Sequence, residues 1–162
     1  MAPTTSKFAN KKRYRRAPRI SLSVKESDTI WPGGKDPVFL TLGEILKIHE
    51  NQVRLYGGTD GVRDMALLHS ALAQPEASFS GHWLHEDLFE MAAAYAFHLC
   101  KNHPFLDGNK RTGFVSAVIF LETNGIEFRN PKDIFVEIML SVAEGKMSKK
   151  ELATVFRDFP KE

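Results

Sequence analysis

Nine consecutive residues, His103-Pro104-Phe105-Leu106-Asp107-Gly108-Asn109-Lys110-Arg111, bring together an imidazole, a carboxylate, an amide and two cations. Phosphoryl transfer asks for such a set: a base for the attacking hydroxyl, charge neutralisation and tight positioning. His103 is the candidate base, because a neutral imidazole near pH 7 accepts a hydroxyl proton. Asp107 offers the oxygen ligands that magnesium prefers, or it orients His103; both roles are open to it. Asn109, Lys110 and Arg111, with the Gly108 backbone, are candidates to hold phosphates. Phe105 is expected to point inward and anchor the loop.

These residues sit between two segments that read as helices. Pro104 disfavours helix at His103, so the preceding helix should end near Asn102. A new apolar period begins around Arg111, which puts Lys110 and Arg111 in the first turn of the next helix. Cations there oppose the helix dipole by about 0.3–1 kcal/mol each. An anion resting on that turn removes the conflict, and free N–H groups at a helix start already form an anion site. A plainer reading also fits. A helix–loop–helix needs a polar connection, with Asp107 or Asn109 as an N-cap and His103 on the surface.

The rest of the chain supplies the frame. Thr41 to Glu44 is a capping box, opening a helix with Leu42, Ile45, Leu46, His49 and Val53 on one stripe. His49 is expected in the core or at its boundary. Tyr56-Gly57-Gly58 stops that helix. Asp64 is an N-cap for a helix through Leu72, closed by Pro75. Residues 76–86 show no helical period but contain Phe79, His82, Trp83 and His85. The two aromatics either cover the core or form an exposed docking surface. The two histidines lack the spacing of a zinc site. Asp87 to Lys101 is the strongest helix, with Leu88, Met91, Ala92, Tyr95 and Leu99 as its stripe and His98 near its end. The helix after the nine residues is apolar almost all round and should be central. Asn130-Pro131 starts a fifth helix, and Ser148 to Glu151 is a second capping box for a sixth. No strand alternation is evident, so the fold class expected is all-α, a compact bundle of about six helices.

The chain of 162 residues suits one domain with an extension. Residues 1–35 carry nine Lys/Arg against two Asp/Glu, a net +7, while the remainder nets −5. A flexible basic extension over 1–35 and a folded domain over 36–162 are expected. The acidic body disfavours generic nucleic-acid binding, which leaves the basic tail as the segment suited to it. The single cysteine, Cys100, excludes an internal disulfide and fits a reducing, cytoplasmic setting. No apolar run approaches the roughly 18 residues of a membrane span, and the polar, basic start shows no signal peptide.

The nine residues also carry a resemblance. His103, Phe105, Asp107, Gly108, Asn109, Lys110 and Arg111 match H-x-F-x-D-G-N-K-R, which resembles the signature of the Fic/Doc family in its Doc (death-on-curing) branch. The nucleotidyl-transferring Fic branch reads H-P-F-x-D/E-G-N-G-R-x-x-R; this chain has Lys110 and Phe114 where that form has glycine and arginine. Tyr56-Gly57-Gly58, Arg63-Asp64 and Ser70 to Leu72 also resemble Doc-like proteins, and the likeness spans roughly residues 39–156. The resemblance implies a Fic fold, with residues 76–86 as a flap beside the active site. It implies His103, Asp107, Lys110 and Arg111 as catalytic residues and Asp107 as the magnesium ligand. Gly108, Asn109, Lys110 and Arg111 would bind phosphates. It implies a toxin of a toxin–antitoxin system that moves the terminal phosphate of ATP to a protein hydroxyl. The family target is elongation factor Tu, and the partner a Phd-like antitoxin. Ser141-Val142-Ala143-Glu144-Gly145 is one residue short of the inhibitory S/T-x-x-x-E-G/N helix of some Fic proteins, which favours control by a separate antitoxin. The alternatives are an AMP-transferring nucleotidyltransferase and a non-catalytic regulatory or binding module.

Overall fold

The computed structural model describes residues 35–129 and 134–159. The expected extension therefore lies outside the described residues except for Lys35, as does the helix start placed at Asn130-Pro131. Among the described residues there are six helices: α1 (Leu42–Tyr56), α2 (Met65–Ala73), α3 (Leu88–Asn102), α4 (Asn109–Thr123), α5 (Ile134–Ala143) and α6 (Lys149–Asp158). The expected all-α bundle is what forms.

Local chemistry sets most helix starts. Thr41 and Ser148 close reciprocal capping boxes with Glu44 and Glu151, and Asp64 and Asp87 each accept a first-turn N–H. Each cap satisfies N–H groups that have no partner inside the helix. Asp87 also receives Arg157 at 2.7 Å, tying α6 to the start of α3.

The central pair is α3 and α4, and α3 also packs against α2, α5 and α6. Small side chains allow the close crossing. Ala92, Ala93, Ala94 and Ala96 are fully buried. A Cβ on Gly113 would stand 2.9 Å from the Ala96 carbonyl oxygen. Around this pair, Phe114 packs against Phe128, Phe135 and Phe156. Met91, Tyr95, Leu99, Phe120 and Leu121 complete the interior. Cys100 is buried.

One element was not expected. Residues 78–79 (β1) and 82–83 (β2) pair as a small antiparallel hairpin. Ser80 and Gly81 turn it with φ of 50° and 78°, the positive values that suit a tight hairpin. Each strand has two residues, too few to show alternation in the sequence. The two aromatics divide between the readings open to them. Trp83 packs edge-on against Phe39 at 5.2 Å, whereas Phe79 is 75% exposed.

Candidate active site

The nine-residue loop joins α3 to α4. His103 is the C-cap of α3, in left-handed conformation at φ 48°, ψ 51°. That conformation is uncommon for a residue with a Cβ, and three sets of contacts from one segment hold it. The Arg63 guanidinium donates to the carbonyls of His103 at 2.7 Å and Asn102 at 3.1 Å. The backbone N–H groups of Arg63 and Asp64 both donate to the Pro104 carbonyl. Leu106 N–H donates to the Gly61 carbonyl at 3.0 Å, beside a bridge between Val62 and Phe105. The connector between α1 and α2 is thus a backrest for the loop. The His103 side chain is exposed.

Phe105 is buried, as expected, and lies flat on the imidazole of His49. The Nε2–H of His49 donates to the Asp107 carbonyl at 2.8 Å, and its Nδ1 lies 3.5 Å from Asp60. The inward stripe of α1 located His49 correctly. Its service to the loop was not readable, because the partners lie far along the chain.

Asp107 is exposed, and its carboxylate rests against the connector. Oδ1 accepts the Gly108 N–H at 2.7 Å and Oδ2 that of Thr59 at 3.4 Å. These backbone bonds, with smaller contributions from Arg111 and His49, hold its carboxyl below the usual carboxylate range. Gly58 makes room for it: a Cβ there would stand 2.6 Å from Asp107 Oδ2. The hydrogen bond to the His103 ring comes from Asn109, whose Nδ2 is 3.2 Å from Nδ1.

Helix α4 begins at Asn109, which puts Lys110 and Arg111 in its first turn as expected, and its N-cap is Gly108 at φ 75° with no side-chain cap. Left-handed backbone calls for glycine here; against the protein's own atoms a Cβ would make only ordinary contacts. Neither Asp107 nor Asn109 serves as the side-chain cap that the plainer reading offered. The first-turn N–H groups of Asn109, Lys110 and Arg111 are therefore left without a side-chain acceptor, in contrast to α1, α2, α3 and α6.

The remaining phosphate candidates stand in different places. Lys110 is exposed, with no ion pair among the described residues. Arg111 reaches back to α1, with Nη2 donating to the Gly57 carbonyl at 3.0 Å and the guanidinium over the Tyr56 ring. A cation at a helix C-terminus is favourable. The Asn109 side chain is buried and turned to the Phe105 backbone, which leaves its N–H as the part that faces the helix start. Chemically, the assembly offers anion-binding N–H groups and a lysine at a helix start, an ionised carboxylate beside them, and an imidazole within reach of the first helical residue.

The sequence is similar to those of known proteins. The Fic/DOC family model matches residues 39–121, from before α1 to within α4. Over 115 residues the chain is 30% identical to the protein named "Protein kinase doc" of Escherichia phage P1, covering 70% of this chain and 89% of that protein. Over 79 residues it is 39% identical to "Toxin Doc" of Mycolicibacterium smegmatis, covering 49% of this chain and 61% of that toxin.

Proposed function

Because the chain belongs to the Fic/Doc family, we propose that it is a Doc-type toxin that transfers the terminal phosphate of ATP to a protein hydroxyl. The observation that carries this reading is Lys110, exposed in the first turn of a helix whose N–H groups have no side-chain cap. A lysine at that point adds charge for phosphates and fills the space that the glycine of the nucleotidyl-transferring branch leaves open. The names of the two relatives, a kinase and a toxin, point the same way.

The roles follow from placement. The first-turn N–H groups, Lys110 and a repositioned Arg111 would hold the phosphates. His103 would take the proton of the target hydroxyl as its oxygen bonds to the γ-phosphorus, and ADP leaves with the electron pair of the broken bond. Magnesium fits Asp107: its carboxylate is ionised and exposed and keeps lone pairs beyond those engaged by Gly108 and Thr59. Among the described residues no three His, Cys, Asp or Glu side chains converge. A metal held by one carboxylate and the substrate phosphates suits such a site. Bound there, magnesium would neutralise charge on the transferring phosphate.

The family target, elongation factor Tu, is the substrate proposed, with arrest of translation as the outcome. Phe79 and Leu84, exposed on and beside the hairpin, are suited to engage the target segment. A Phd-like antitoxin, folding a helix or disordered segment into a groove, is the partner proposed. Residues 1–35, with their net +7, are the segment suited to nucleic acid. Among the described residues no helix is long and apolar enough to cross a membrane, and the cytoplasm is the proposed site of action.

The test incubates the protein and magnesium with elongation factor Tu and ATP labelled on either the α- or the γ-phosphate. Label from the γ-position, lost in His103→Ala, is expected. Label from the α-position alone would make the protein a nucleotidyltransferase. Unaltered growth arrest by His103→Ala in cells would point instead to a binding module.

A further inference from the structure

Asn109 is 5% exposed, and its amide makes three bonds within the loop. Oδ1 accepts the Phe105 N–H at 2.9 Å, and Nδ2 donates to the Phe105 carbonyl at 3.0 Å. A backbone N–H can only donate and a carbonyl can only accept. These two bonds therefore fix which end of the amide is oxygen and which is nitrogen. The NH2 end is the one 3.2 Å from His103 Nδ1. An amide NH2 offers hydrogens and no lone pair, so Nδ1 must offer its own. The neutral ring then carries its hydrogen on Nε2.

We infer that Asn109 is a positioning residue that sets the tautomer of His103, holding the Nδ1 lone pair and leaving the hydrogen on Nε2. The inference rests on His103 being the base of the proposed transfer, and it adds a condition to that role. A neutral imidazole has one lone pair in its plane, and Asn109 occupies it. A hydroxyl approaching Nε2 meets a hydrogen, not a proton acceptor. Transfer requires the ring to turn off the amide, after which the hydroxyl O–H breaks and the new N–H forms at Nδ1. The ring leaves the step as imidazolium, the oxygen joins the γ-phosphorus, and ADP departs with the electrons of the broken P–O bond. Asn109 thus acts as a catch that keeps the base unavailable in the resting loop.

The experiment reads the ring directly. The full chain, labelled with nitrogen-15 in histidine, is examined by long-range proton–nitrogen correlation where the ring is neutral. His103→Gln identifies the signals. Expected in the parent are a lone-pair nitrogen at Nδ1 and a hydrogen-bearing nitrogen at Nε2. In Asn109→Asp the carboxylate accepts a hydrogen from Nδ1, so the two nitrogens exchange places in the spectrum. If that variant does not fold, Asn109→Ala serves: both signals move toward one another as the free ring averages its tautomers. A parent with its hydrogen on Nδ1, or an Asn109→Ala spectrum identical to the parent's, overturns the inference. The spectrum needs neither nucleotide nor target. A missing γ-phosphate transfer beside the expected spectrum would therefore sink the kinase reading and leave the tautomer assignment standing.

Discussion

The imidazole of His49 lies parallel to the ring of Phe105, with centroids 3.9 Å apart and planes 6° apart. One residue belongs to α1 and the other to the loop between α3 and α4. The same imidazole donates to the Asp107 carbonyl. Stacking and hydrogen bond together fix the height of the loop over the helix bundle.

His49→Phe separates the two effects. It retains the ring stack and removes the donor, leaving the Asp107 carbonyl without its protein partner. A cost of about 1–3 kcal/mol is expected, read as a lower urea midpoint with an unchanged slope. His49→Ala should cost more, because it also opens a cavity beneath Phe105. Equal midpoints for parent and His49→Phe would mean that the bond contributes nothing to the loop.

What the sequence revealed was what neighbouring residues decide. Thr41, Asp64, Asp87 and Ser148 cap their helices by accepting the backbone N–H three residues on, so each start was legible. The start of α4 showed only through its apolar period, because Gly108 caps it through a left-handed backbone, which no side-chain pattern advertises. The functional residues that were missed act at a distance. His49 meets Asp107 across 58 residues, and Arg63 meets His103 across 40. Gly58 read only as a helix stop, and its second task, clearing space for the Asp107 carboxylate, needs the fold to be visible. The seven signature residues were legible because they fall within nine positions. Their separation into a buried staple, Asn109, an exposed cation, Lys110, and a cation turned toward α1, Arg111, was not.

Two glycines inside helices give opposite predictions. Glycine is ordinarily about 1 kcal/mol worse than alanine within a helix. Gly43 faces open space, so Gly43→Ala should be neutral or stabilising by up to about 1 kcal/mol. Gly113→Ala would drive a Cβ to 2.9 Å from the Ala96 carbonyl oxygen and 3.3 Å from its Cα. Separating α3 from α4 should outweigh the gain in propensity, with a net loss of about 1–3 kcal/mol. Denaturant midpoints of the two variants check this. Stabilisation by Gly113→Ala would show that the helix crossing has slack.

His98 predicts an acid response. Its Nε2 accepts a hydrogen from Lys149 Nζ at 3.3 Å. Burial first, then the charges of Lys149 and His85, pushes it down from 6.5 to about 4. Between those values the unfolded chain binds a proton at His98 that the folded chain refuses, so stability must fall as pH drops through that window. Melting temperature should therefore decline from pH 6.5 toward 4, and His98→Gln should decline less steeply over the same range. Parallel profiles for parent and variant would place the acid sensitivity elsewhere.

Arg63 tests whether the posture of His103 matters apart from nucleotide binding. Its two donors rest on the last carbonyls of α3, and one of these belongs to His103 itself. Arg63→Ala removes that clamp while the N–H bonds from residues 63 and 64 to Pro104 need no side chain. The phosphate site proposed at the start of α4 draws on different residues, the first-turn N–H groups, Lys110 and Arg111. ATP affinity should consequently stay near the parent value, while transfer to the target falls on the order of 10²-fold, the usual penalty for misplacing a reacting group by about 1 Å. Arg63→Lys should recover only part of the rate, since an ammonium lacks the planar fork that reaches both carbonyls at once. Affinity and rate falling together would mean that Arg63 supports the whole loop, and a rate equal to the parent's would mean that the left-handed turn at His103 holds without it.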